Sequence, residues 1–234
     1  MTWVNYKLDE LGLVSRGRSR HRPRDAAHLY GGPYPFVQTS DVKHAGLFLT
    51  GYQQTYSEAG LAQSKLWPSG TLCITIAANI ADTAILSLDA CFPDSVIGFA
   101  PDPEKADARF IKYLFDATLK KRFKRFTQGA AQDNLSQEKL LSLELLVPDV
   151  NEQKRIADIL AKHDEFIENN HRRIQLLEET ARLLYREWFV YLRFPGHEHV
   201  TITNGVPDGW DQTSLGQYSK LNYGKALNAY FGPP

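Results

Sequence analysis

Between Glu152 and Tyr191 the sequence contains neither glycine nor proline, and one spacing of alternating four and three residues runs through it. The positions are Ile156, Leu160, His163, Ile167, Asn170, Ile174, Leu177, Ala181, Leu184 and Trp188. This is the seam of a heptad repeat, and it predicts one continuous helix. At 1.5 Å per residue such a helix reaches roughly 60 Å, more than a domain built from the rest of the chain can cover. No other stretch in the 234 residues has comparable length and period. The seam therefore predicts pairing with a second copy or with a different protein. His163 and Asn170 fall in it, where a polar residue fixes register and orientation at some cost in stability.

Upstream, residues 1–150 have the length of one ordinary domain, and Pro148 is the natural boundary. The pattern there is mixed. Residues 3–13 open with an apolar run, 17–35 read as loop, and 36–41, 71–76, 84–88 and 96–99 read as short strands. Residues 106–126 read as a helix, with Phe110, Ile111, Leu114, Phe115, Leu119, Phe123 and Phe126 at helical spacing. The expected class is α+β, a mixed domain followed by a long coiled-coil helix. Cys73 and Cys91 are too few for a disulfide framework and are expected to be reduced. The first ten residues lack a basic flank leading into an apolar core. The most apolar stretch, 72–88, is interrupted by Asn79 and Asp82. The chain is accordingly expected in the cytoplasm with no membrane contact.

Twenty-seven basic residues balance 27 acidic ones, so any nucleic-acid surface must come from local patches. Two exist. In the first, Arg16, Arg18, Arg20, Arg22 and Arg24 alternate with Gly17, Ser19, His21 and Pro23; in an extended segment alternate residues project to one side, making a row that can face phosphates. In the second, Lys120, Lys121, Arg122, Lys124 and Arg125 are interleaved with Phe123 and Phe126, and no acidic residue lies between Asp116 and Asp133. An Arg-rich loop or a basic helix end can equally be solvated surface.

Motifs for catalysis are not found: the sequence has no P-loop, GxGxxG, CxxC or HExxH, and no Asn/Asp-Pro-Pro-aromatic tetrapeptide of an amino methyltransferase. His197-Glu-His199 beside Pro195-Gly196 reads as a solvated loop rather than a metal site. An internal repeat organises the ends. Trp3, Leu8 and Gly17-Arg18 recur as Trp210, Leu215 and Gly224-Lys225 at a constant offset of 207 positions. A second module begins there.

Together these segments resemble the specificity subunit of Type I restriction-modification systems, cut to about half length. Asn151-Glu-Gln-Lys-Arg-Ile-Ala-Asp-Ile-Leu160, followed by Asp164, Ile167, Asn170, Arg172, Arg173, Ile174 and Leu177, resembles the entrance and body of that family's spacer helix, and Arg186-Glu-Trp-Phe-Val190 with Phe194-Pro195 its exit. Tyr34-Pro-Phe-Val-Gln-Thr-Ser-Asp41, Lys65-Leu-Trp-Pro-Ser-Gly-Thr71 and Asn134-Leu-Ser-Gln137 resemble pieces of its target-recognition domain, and Val206-Pro-Asp-Gly-Trp210 the opening of the next one.

The resemblance implies a target-recognition domain over 1–150, a spacer or dimerisation helix over 151–192, and a linker with a truncated second opening over 193–234. It implies a non-catalytic subunit that holds no cofactor or metal of its own. Its partners would be double-stranded DNA, methyltransferase subunits that modify adenine with S-adenosylmethionine, and a restriction/translocase subunit that uses ATP. The family has two recognition domains and two antiparallel helices, whereas this sequence has one of each, so two copies would restore the pattern. They would read inverted half-sites.

Within the domain the expected backbone contacts are Arg16, Arg22, Lys121 and Lys124. The expected base readers are Arg18, Arg20, Gln38, Thr39, Lys65, Asn79, Gln132 and Asn134, since Arg suits guanine and Asn or Gln suits adenine through paired hydrogen bonds. A coiled-coil scaffold and a nuclease lacking the usual motifs remain as alternatives at this stage. DNA binding in the presence of the methyltransferase and metal-dependent cleavage by the pure protein discriminate among the three.

Overall fold

A computed structural model describes residues 2–77, 80–118, 120, 135–211, 213–220 and 224. The chain divides into two compact units, Met1–Asn169 and Asn170–Pro234.

The first unit is a mixed α/β domain around two sheets. The larger is built from β2 (Gly12–Arg16), β4 (Phe48–Leu49), β7 (Leu72–Thr75), β8 (Thr83–Leu86) and β10 (Val96–Pro101) in the order β2-β10-β7-β8-β4. It is covered on both faces, which is why Leu72, Cys73 and Ile74 read as consecutive apolar residues rather than as an alternation. Leu72, Ile74, Ile85, Ile97 and Phe99 pack with Phe110, Ile111 and Phe115 of helix α3 (Ala108–Thr118). Cys73, Ala84, Leu86 and Val96 pack on the other side with Trp67 and Phe92. Gly98 makes room for those two rings, because a Cβ there would lie 2.7 Å from Phe92 and 2.9 Å from Trp67.

The second sheet consists of β3 (Tyr30–Phe36), β5 (Gln54–Tyr56), β6 (Leu66–Trp67) and β9 (Ala90–Cys91), ordered β5-β3-β9-β6, with the short helix α2 (Glu58–Ala62) between β5 and β6. Here two sequence expectations are corrected. The span 17–35 is not all loop: Tyr30–Phe36 is a strand despite its glycines and prolines. Tyr30, Tyr34 and Phe36 pack beside Tyr56, with the Phe36 and Tyr56 rings stacked at 4.0 Å. A register irregularity between Tyr30 and Tyr34 accommodates Gly31, whose φ is +82°. Residues 36–41 are not one strand either. The strand ends at Phe36, and Thr39–His44 forms a short helix, α1, because the Asp41 carboxylate accepts from the Gln38 backbone N–H at 2.8 Å and closes its first turn. The expectations at 71–76, 84–88 and 96–99 correspond to β7, β8 and β10.

Near the C-terminal end of this unit a short helix, α4 (Gln137–Leu141), leads to β11 (Leu145–Val147), which pairs antiparallel with β1 (Val4–Tyr6). Directly after it begins the long helix α5, Val150–Tyr185. No helix among the described residues is long and apolar enough to cross a membrane.

In the second unit α5 is followed by a π turn, Arg186–Val190. A two-residue hairpin then joins Ile202–Thr203 (β12) to Val206–Pro207 (β13). Asn204 and Gly205 both have positive φ, the backbone that a tight hairpin of native twist requires. Trp210 packs against Phe189 and Phe194 at 5.5 and 5.2 Å. The repeat is partly structural: Trp3 meets Phe110, and Leu8 and Leu215 each start a short helix.

Candidate nucleic-acid interface

Strand register places most of the expected DNA contacts at one end of the first unit. In the larger sheet β2 leaves at Arg16, opposite Ile97 at the start of β10, and β7 ends at Thr75, opposite Val96. The hairpin joining β7 to β8 therefore lies at that same end. In the second sheet Phe36 at the end of β3 faces both Gln54 and Cys91, and Leu66 at the start of β6 faces Cys91. Residues 92–95 run from this end of one sheet to that end of the other. Gln38, Lys65, the segment after Arg16 and the β7–β8 hairpin are thus brought together from four separate places in the sequence.

The segment after Arg16 behaves as its alternation predicts. Arg16, Arg18, Arg20 and Arg22 are exposed, whereas Gly17 and Ser19 are buried. Its backbone is strapped down at five points. Gly17 N–H donates to Val96 O and Arg18 N–H to Phe92 O. The Ser64 hydroxyl donates to Arg18 O, and the Gln63 side-chain oxygen accepts from the Arg20 and His21 N–H groups at 2.6 and 3.0 Å. A row of side chains on a fixed backbone is preorganised for a ligand.

Not all of the row is available. Arg24 forms a two-pronged ion pair with Asp94, and the Nε of Arg16 donates to the Asp94 carbonyl at 2.8 Å. Arg22 turns back onto the Ser19 and His21 carbonyls. Arg18 and Arg20 alone of the row have side chains without a hydrogen bond or ion pair among the described residues. Lys65 joins them: its Nζ lies 3.6 Å above the Trp67 ring, and burial together with the nearby charge of Arg18 pushes its pKa down. The cluster thus comprises Lys65, close enough to Arg18 to feel its charge, and Arg20, the next exposed residue of the same row.

Gln38 and Thr39 lie at the start of α1, where the Gln38 amide donates to the Gln54 side chain at 2.5 Å. Lys120, first of the second basic patch, pairs with Asp82 of the β7–β8 hairpin at 3.1 Å. The first residue of that patch therefore lies against the β7–β8 hairpin. Asn79, Lys121, Lys124, Gln132 and Asn134 lie outside the described residues. Gln63, Ser64 and Asp94 organise this segment and were not signalled by sequence, because their partners are 42 to 78 positions away.

Residues 1–179 match the family described as the Type I restriction modification DNA specificity domain. The chain belongs to that family. It is 24% identical over 230 residues to the Type I restriction enzyme MjaIX specificity subunit of Methanocaldococcus jannaschii, a match covering 95% of this chain and 52% of that protein. The chain thus spans about half the length of this relative. The Type I restriction-modification S subunit of M. genitalium superposes with a TM-score of 0.58 at 17% identity, over 82% of this chain and 46% of that one. A chain from a structure on complex assembly and conformational transition of the type I R-M system gives 0.59 at 19% identity, over 77% and 43%.

The second surface of this specificity-family chain is the seam of α5. Leu160, His163, Ile167, Ile174, Leu177, Ala181 and Leu184 are exposed, Ile174 by 53% and Leu177 by 67%; Asn170 is half-buried. The two end positions differ. Ile156 packs against the core of the first unit, and Trp188 falls in the π turn, whose wider winding takes it off the seam's period. His197-Glu-His199 forms one 3-10 turn, and no group of three or more metal-ligating side chains occurs among the described residues.

Proposed function

We propose that this chain reads one half of a bipartite DNA site for a type I restriction-modification complex, and that two copies joined through α5 read both halves. The observation that carries the reading is the gathering of Arg18, Arg20 and Lys65 at one end of a specificity-family domain, with two guanidinium groups that have no hydrogen bond or ion pair among the described residues. Lys65, expected from the sequence as a base reader, is better suited to a phosphate: its ammonium is a point charge held over the Trp67 ring. Arg18 and Arg20 can offer a guanine its two paired hydrogen bonds in the major groove. Gln38 and Thr39 border the cluster.

The exposed seam of α5 supports the pairing. An apolar stripe on a helix of 36 residues is stable in water when another helix covers it. Antiparallel pairing of two copies has two-fold symmetry, which makes the half-sites identical and inverted. The chain supplies the address and no catalysis. Adenine methylation with S-adenosylmethionine and ATP-driven cleavage belong to methyltransferase and restriction subunits bound to it, in keeping with the assembly named for the similar structure.

The test is co-expression with a cognate methyltransferase subunit in a host without other adenine methylation, followed by mapping of methylated adenines. An inverted-repeat bipartite motif is the expected result. An asymmetric motif replaces the second copy with a different reader, and a stable complex that leaves DNA unmethylated removes productive reading. Failure to form a complex favours the scaffold.

A further inference from the structure

Gln153, in the first turn of α5, has no exposed surface. Its side-chain oxygen accepts from Asp107 N–H at 3.1 Å, and its amide donates to the carbonyls of Lys105 and Pro148 at 3.0 and 2.9 Å. One side chain thus ties the helix to the approach to α3 and to the end of the strand before it. Farther along, Arg109 grips Asp107 with Nε and Nη2 and reaches Asp158 with Nη1 at 2.8 Å. At the third point Tyr113 donates its phenolic hydrogen to Asp164 at 2.7 Å. The three contacts span Gln153 to Asp164, about three turns of helix.

Gln153, Ala157 and Asp164 share one face of α5, and Ala157 is fully buried on it. At 3.6 residues per turn this face is adjacent to the seam through Leu160, His163 and Ile167 but distinct from it. The helix is held against the reading domain while its seam beyond Ile156 stays exposed. Over Gln153 to Asp164 these contacts fix which face of the helix meets the domain.

We infer that Gln153, Arg109–Asp158 and Tyr113–Asp164 form a latch that fixes the heading of α5 from the reading domain, and with it the number of base pairs between two half-sites. This rests on the two-reader function proposed above. The lever is long: a helix of 36 residues extends about 54 Å, so a tilt of about 4° moves its end by roughly one base-pair step. The latch residues are positioning residues and touch no base.

The test uses the double variant Tyr113→Phe, Asp158→Asn, which keeps shape and packing and removes one hydrogen bond and one ion pair. Gln153→Met serves as a harsher second variant. Each is co-expressed with the methyltransferase subunit, and methylated adenines are mapped. The wild-type chain is expected to give one motif with one spacer length. The double variant is expected to keep the same half-site bases while methylation at spacers one base pair longer or shorter rises about threefold to tenfold, the scale of a hydrogen bond lost. An unchanged single spacer in both variants overturns the inference, and so does a uniform loss of methylation at every spacing, which makes the contacts a matter of stability alone. Absence of any bipartite motif from the wild-type chain is a different failure and refutes the two-reader function.

Discussion

The ammonium group of Lys65 rests 3.6 Å above the ring of the fully buried Trp67, with the charge of Arg18 close enough to depress its pKa. A cation over an indole face is held by about 0.5 to 2 kcal/mol. Lys65 is therefore placed in advance of any ligand, and Arg18 reaches out from a backbone tied to Phe92 and Ser64.

The two cations are expected to act differently. Lys65→Ala should weaken binding to all DNA sequences alike and lower the salt slope of the affinity by about one, as loss of a phosphate contact does. Arg18→Ala should cost about 1 to 3 kcal/mol on the cognate half-site and much less on others. Titrations of cognate and scrambled duplexes at several salt concentrations measure both. If the two variants lose the same affinity on every sequence, the division of roles is wrong.

Gly17 lies where the strap passes closest to the sheet: a Cβ would sit 2.3 Å from Phe92 O and 2.4 Å from the Phe92 ring. Both obstacles are fixed, one by backbone and one by burial, so Gly17→Ala must displace the segment that carries Arg18. The expected cost is about 1 to 3 kcal/mol of stability together with loss of DNA binding. Thermal melts and the same titrations check it, and an alanine variant with native stability and affinity would contradict the tight packing of the strap.

How much of this was readable beforehand depended on whether the deciding contacts were local. The helix over 150–185 was legible because its period repeats many times within one segment, and β7, β8 and β10 were legible as apolar runs bounded by turn residues. The alternation of the arginine row also survives in the structure. Tyr30–Phe36 was not legible as a strand, since Gly31, Gly32, Pro33 and Pro35 signal a loop and only pairing with β5 overrides them. Which arginines are occupied was equally hidden. Asp94 neutralises Arg24 from 70 positions away, and Gln63 holds the Arg20 backbone from 43.

Asp107 gives the latch a pH dependence. Burial raises its pKa, but hydrogen bonds from the Arg109 side chain and backbone outweigh this and leave it below the usual carboxylate range. A carboxylate depressed in the folded state stabilises the protein above its unfolded value of about 3.9 and loses that contribution as pH falls through the folded value. Asp107→Asn should thus cost about 1 kcal/mol near pH 7, a figure discounted for the partly exposed Arg109, and almost nothing once the pH has fallen below the depressed folded value. Urea midpoints across that range test it. An equal deficit at both ends would show that the carboxylate charge plays no part.

The last prediction concerns the open seam. Ile174 and Leu177 are 53% and 67% exposed in the single chain, on a helix whose described neighbours leave that stripe uncovered. Burying a side chain of this size contributes about 1.5 to 3 kcal/mol, and a two-fold interface counts each position twice. Ile174→Asp alone should weaken self-association by about 3 kcal/mol or more, over 100-fold in Kd, and the pair Ile174→Asp, Leu177→Asp should leave monomers at micromolar concentration. Because neither residue touches the core of the first unit, the melting of the recognition domain and the affinity for a single half-site should stay as they were. Light scattering, melting and half-site titration of the same preparations decide the matter. A variant that still forms dimers refutes pairing through this seam, and a monomer that has also lost half-site binding shows that the recognition domain depends on the helix pair for more than spacing.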